Sequence, residues 1–101
     1  MRVRRTGKSY AHPLIILIAS PNEQPNSRFA VSASRAVGGA VSRNRAKRRI
    51  RAAVHSNLPT IKTGWDIILI ARAPLIDAEW PRVHEALKAL LRRAQLLDNG
   101  Q

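Results

Sequence analysis

Trp65 opens the segment WDIILIARAP, and within it five apolar residues run unbroken from Ile67 to Ala71. A strand with one solvated face alternates apolar and polar residues, so an unbroken run predicts a strand covered on both faces. In a chain of 101 residues that requirement calls for helices packed on a small sheet. The rest of the chain supplies the parts. LIILIA (14–19) follows Pro13 and reads as a second short strand, closed by the turn-rich SPNEQPNS (20–27). RFAVSAS (28–34) alternates, with Phe29, Val31 and Ala33 on one side and Arg28, Ala30, Ser32 and Ser34 on the other. The short turn at 20–27 predicts an antiparallel hairpin between these two strands.

Gly38 and Gly39 break the β pattern and read as a helix-entry turn, with a helix expected over roughly 40–55. At a period of 3.6, Ala46, Ile50, Ala53 and Val54 share the buried stripe. Asn44, Arg45, Arg48 and Arg51 point away from it, while Lys47 and Arg49 flank it with their heads in water. Near the C-terminus, Asp77 is the expected N-cap of a last helix reaching about Leu97. Trp80, Val83, Leu87, Leu90, Leu91 and Ala94 form its core stripe. The expected order is strand, strand, helix, strand, helix, with a further strand or helix near the N-terminus. The fold class is α/β: a two-layer α+β sandwich with a small mixed sheet, as one domain over 1–101.

The charge is uneven. Residues 1–62 carry thirteen Lys or Arg against one acid, Glu23, whereas residues 63–101 carry five of each sign. The net +12 therefore lies in the first three-fifths of the chain, which concentrates a polyanion at one side of the molecule. Cysteine is absent, which excludes disulfides, thiolate metal sites and a cysteine nucleophile. The longest strongly apolar run, 14–19, is far short of the roughly 20 residues that span a bilayer. No cleavable leader pattern follows the basic start, so the expected address is the cytoplasm.

Six of the nine residues from Arg43 to Arg51 are cationic and none is acidic. Like charges one turn apart destabilise an isolated helix, so the segment is built for an anionic partner. Six of the seven cations from Arg35 to Arg51 are Arg, whose planar fork grips phosphate oxygens bidentately. The opposite face is too small to wedge into a membrane. Strands precede the helix where a helix-turn-helix reader has a positioning helix. With only four aromatics, the surface suits the phosphates and shape of folded RNA.

No catalytic constellation accompanies it. The six acids are scattered, His12, His55 and His84 have no ligand spacing, and Ser32, Ser34 and Ser42 lack a nucleophile elbow. Charge and size fit a structural RNA-binding protein of ribosomal type, and a self-sufficient nuclease is a further class to weigh.

The stretch SASRAVGGAVSRNRAKRRIRAAV resembles the signature of the bacterial ribonuclease P protein subunit, whose hallmark is an Arg-Asn-Arg core (Arg43, Asn44, Arg45) leading into a basic helix. GKSYAHPL, RFAVSAS, DIILIARAP and a closing amphipathic helix extend the likeness over about residues 3–97. The resemblance implies a fold whose strand–helix–strand crossover is left-handed, against the usual hand. It implies partners, a catalytic RNA and precursor tRNA, and no DNA or membrane. It implies that Mg2+ and the RNA hydrolyse the 5′ leader from the tRNA while the protein has no catalytic residue of its own. The residues it assigns to RNA are Arg35, Arg43, Asn44, Arg45, Lys47, Arg48, Arg49 and Arg51. A leader cleft beside the sheet would draw on Arg4, Arg5, Lys8, Tyr10, Ser32 and Ser34. The resemblance implies a first helix of which MRVRRTGKSYA supplies little, with Arg4 where an aromatic is common: either the true start lies upstream, or the cleft relies on charge from Arg2, Arg4 and Arg5.

Overall fold

The computed structural model describes residues 7–97, so the expectations for a first helix and for Arg2, Arg4 and Arg5 lie outside the described residues. Four strands, β1 (Lys8–Ala11), β2 (Ile15–Pro21), β3 (Arg28–Ala33) and β4 (Trp65–Ala71), form one mixed sheet. Two helices, α1 (Ala40–Asn57) and α2 (Trp80–Arg93), cover it. The spatial order is β1-β2-β4-β3, with β4 antiparallel to β2 and parallel to β3. The expected hairpin between 14–19 and 28–34 is therefore not formed. β4 stands between them, because two strongly apolar strands bury most when paired centrally, which leaves the half-polar β3 at an edge. The hairpin is instead β1–β2, pairing Tyr10 with Leu17 and Ala11 with Ile16. Its turn is fixed by His12, whose Nδ1 accepts the Leu14 N–H at 3.0 Å. Parallel pairing of β3 with β4 requires a crossover, and α1 supplies it.

The core lies between one sheet face and both helices. Ile15, Leu17, Ile67, Leu69 and Ala71 meet Ala46, Ile50 and Ala53 of α1 and Val83, Leu87, Leu90 and Leu91 of α2, all fully buried. The stripe expected on α1 is the one observed. On α2, Trp80 leaves the expected stripe: it is 41% exposed and sets its indole edge-on to His84, ring centroids 5.0 Å apart. The reason is its place in the first turn, with Glu79 rather than Asp77 as N-cap; Asp77 closes a 3-10 turn over Ala73–Asp77. Ala86 and Leu96 take the core places instead.

Among the described residues, β4 is not covered on both faces. Ile67, Leu69 and Ala71 are buried, but Ile68 and Ile70 are only half-buried. Ile68 lies opposite Ile18 and Ile70 opposite Ile16, also half-buried. These four isoleucines form a square on the uncovered side of the sheet, flanked by Ser9 and Ala11 of β1 and Ala30 and Ser32 of β3.

One end of that face is closed by Asp66. Its carboxylate accepts Arg28 Nε at 2.8 Å, Arg28 Nη2 at 2.7 Å and Asn22 Nδ2 at 3.0 Å. Hydrogen bonding from Arg28, then from Asn22, holds the carboxyl below its ordinary value of 3.8 against the opposing effect of burial. A carboxyl depressed in the folded state stabilises fully above the unfolded value and loses that contribution as the pH falls through the folded one. Asp66→Asn should therefore melt below the parent at pH 6, and the gap should close as the pH is lowered past 3.8. Thermal melts of both proteins across pH 2.5–6 would check this, and a gap independent of pH would refute it.

Candidate nucleic-acid interface

Two glycines start α1. Gly38 has φ 132°, and a Cβ there would sit 3.2 Å from the Ser42 Cβ. Gly39 is the N-cap, offers no side-chain acceptor, and receives the Arg43 N–H on its carbonyl at 2.9 Å. The first turn holds no acid. Arg43 and Arg45 thus stand at the positive end of the helix dipole, the end that favours anions. A protein folding only for its own stability would place carboxylates there.

Arg45, Arg48 and Arg51 are exposed, and Asn44 beside them is exposed as well. None of these three arginine side chains makes a hydrogen bond or ion pair with another described residue. Arg43 and Lys47 are half-buried and, with Asn44, line a hollow of about 220 Å³ against Ser32 and Ala33 of β3. That hollow joins the cationic helix to the rim of the uncovered isoleucine face. Arg35, exposed, opens the 3-10 turn that leads into the helix.

Arg49 does not hold its guanidinium in water as the helical period predicts. Instead Nη1 donates to the carbonyls of Leu75 at 2.7 Å and Ile76 at 3.4 Å, and Nη2 donates to that of Ala78. One turn-rich segment offers three carbonyls within four residues, and the fork of a guanidinium fits them. Arg49 ties α1 to the approach of α2 and does not face outward with its neighbours.

The described members of the expected leader cleft are divided. Ser32 lies on the open face, beside Ile70. Ser34 Oγ accepts the Ala36 N–H at 3.1 Å, capping the 3-10 turn. Lys8 and Tyr10 pair with Ala19 and Leu17, whose side chains are buried under the helices, so they point to the other face. Sequence reasoning missed Ile16, Ile18, Ile68 and Ile70, because an unbroken apolar run reads as covered. The signal was in β3, whose Arg28, Ala30 and Ser32 share that face and are too polar or small for a buried layer.

Among the described residues no three His, Asp or Glu side chains are grouped to hold a metal ion. No described helix is long and apolar enough to cross a membrane. What the arrangement offers is a row of guanidinium groups, a polar hollow and an apolar ledge, in continuity.

Comparison with known proteins agrees. The family profile described as Ribonuclease P matches residues 1–95. The "Ribonuclease P protein component" of Chloroflexus aurantiacus is 42% identical over 97 residues, which covers 95% of this chain and 72% of that protein. The protein of the same name from Roseiflexus is 40% identical over 104 residues, covering 99% of this chain and 85% of that one. Among solved structures, the RNase P protein of Staphylococcus aureus superposes with a TM-score of 0.84 at 31% identity, covering 96% of this chain and 89% of that chain. The RNase P protein of Thermotoga maritima superposes with a TM-score of 0.80 at 29% identity, covering 90% and 89%. On a profile that spans nearly the whole sequence and relatives aligned across it, this chain belongs to the Ribonuclease P family.

Proposed function

We propose that this chain is the protein subunit of ribonuclease P, a ribonucleoprotein that trims precursor tRNA. The observation that carries the reading is the acid-free arginine row of α1, left unpaired among the described residues and joined by a hollow to an open sheet face. Arg45, Arg48 and Arg51 dock on the phosphates of the catalytic RNA, with Arg35 at the edge of that contact. Arg43, Asn44 and Lys47 stand where that RNA and the substrate leader converge. The leader then crosses the open face past Ser32, where the isoleucines offer apolar contact to bases and Ser9 offers a hydroxyl. Lys8 and Tyr10 take no part in that path, and Ser34 serves as a cap. The magnesium that the cleavage needs is assigned here to the RNA partner. The protein's work is to position RNA and lower the repulsion between two polyanions, which reduces the magnesium they require. The setting is the cytoplasm, where precursor tRNA is processed.

Mixing the protein with a catalytic RNA of the family should lower the Mg2+ concentration at which precursor tRNA is cleaved. An unchanged magnesium requirement would sink the proposal. Co-purification with ribosomal RNA but not with the catalytic RNA would instead favour a ribosomal role.

A further inference from the structure

A second groove lies at the opposite edge of the sheet from β3, between β1 and the end of α2. It encloses about 580 Å³. Three cations, Lys8, Lys62 and Arg93, two aromatics, Tyr10 and Trp65, and Gln95 line it, and among the described residues no acid does. Neither the arginine row nor the open sheet face reaches it: Lys8 and Tyr10 face the helix side, and three strand spacings, about 14 Å, separate β1 from β3.

The lining is held in place before any ligand arrives. The Arg93 guanidinium donates through Nη1 to the Ala11 carbonyl at 2.7 Å and lies 5.8 Å from the centroid of the Tyr10 ring. That leaves Nε and Nη2 free of described partners and turned to the same neighbourhood as a half-buried phenol. The Lys62 backbone is pinned on both sides, its N–H donating to Leu96 O at 2.7 Å and its carbonyl accepting Ser27 Oγ at 2.8 Å. The Trp65 N–H donates to the same Ser27 Oγ at 3.1 Å. Gln95, with φ 59°, turns the chain out of α2 and sets its amide at the rim.

Cations that track a backbone, combined with aromatic faces for bases, are the elements of a site for single-stranded nucleic acid. An acidic peptide would use the cations but leave the two rings without purpose. A purely apolar ligand would leave three charges unpaired. We propose that this groove binds a nucleotide unit of single-stranded RNA, with the base stacked against Tyr10 or Trp65 and the phosphate held by Arg93 and Lys62. It would give the protein a further RNA contact, independent of the arginine row and of the open sheet face.

Tryptophan fluorescence tests this. In a Trp80→Phe background Trp65 is the sole tryptophan, and titration with hexa-adenylate RNA should quench it saturably. Adenosine monophosphate should quench the same signal more weakly if the chain contributes contacts beyond one unit, and equally if one nucleotide fills the site. Either result supports the groove. Arg93→Ala and Tyr10→Ala should each weaken binding at least about fivefold, the lower bound of a lost stacking or charge contact. Because Tyr10 packs on the core, Lys62→Gln, an exposed change, serves as the second variant and should weaken binding in the same direction. The Arg45/Arg48/Arg51→Ala protein should still be quenched, so failure of the main interface and failure of this groove are separable. No quenching by either ligand, quenching by inorganic phosphate alone to the same extent, or quenching indifferent to both Arg93→Ala and Lys62→Gln would each overturn the proposal.

Discussion

The triple variant Arg45→Ala, Arg48→Ala, Arg51→Ala should bind the catalytic RNA of ribonuclease P at least about a hundredfold more weakly at 0.15 M salt, since each lost phosphate contact removes close to a factor of ten. The parent affinity should fall with salt with a log–log slope near −3 to −4, for about four or five neutralised phosphates. In the variant the slope should flatten by about two to three units. Filter binding or fluorescence anisotropy over 50–400 mM salt measures both quantities. A matched control, Arg82→Ala, Lys88→Ala, Arg92→Ala, removes the same charge from exposed positions of α2 and should change the slope by less than about one unit. If the two triple variants behave alike, net charge rather than the α1 face is responsible. The binding loss should come without a loss of fold. These three side chains make no bond with other described residues, they repel one another along an acid-free helix, and Ala is the better helix former. The variant should therefore melt at the same temperature as the parent or above it, the signature of residues retained for a partner at some cost to stability.

That face was legible in the sequence because it depends on local facts. A helical period places Arg45, Arg48 and Arg51 opposite Ala46 and Ile50, and the lack of nearby acids needs no coordinates to be seen. The α1 stripe, the glycine turn before it and the identity of every strand but β1 followed from pattern for the same reason. Pairing is different. Whether β3 lies beside β2 or beyond β4 is decided by which arrangement buries the most apolar surface across the whole sheet, and turn length alone pointed to the wrong hairpin. The open face was hidden by a related ambiguity: five apolar residues in β4 are compatible with two covered faces or with one covered face and a ledge left for a ligand. Arg49 shows the limit most sharply. At helical spacing it sits one residue from Arg48 and carries the same charge, yet three carbonyls more than twenty residues further along the chain, on Leu75, Ile76 and Ala78, determine its role.

Arg49→Ala should accordingly do the reverse of the triple variant. Losing a guanidinium that serves three carbonyls, in a half-buried place, removes charge-assisted hydrogen bonds and leaves acceptors poorly paired, at a cost of about 2 kcal/mol. For a domain of this size that lowers the melting temperature by roughly 10 °C. Lys in the same place should rescue little, because one ammonium cannot span carbonyls that the planar fork reaches together. Measured well below its melting point, the Arg49→Ala protein should keep the parent salt slope to within about half a unit, since no phosphate contact is lost. Differential scanning calorimetry and the same anisotropy titration supply the two readouts. A variant that melts like the parent and binds RNA with a flattened slope would return Arg49 to the RNA face and break the link it is assigned between α1 and the start of α2. The two outcomes are mutually exclusive because the side chain has one guanidinium, which cannot cap the carbonyls of Leu75 and Ala78 and grip a phosphate across the solvent face of α1 at the same time.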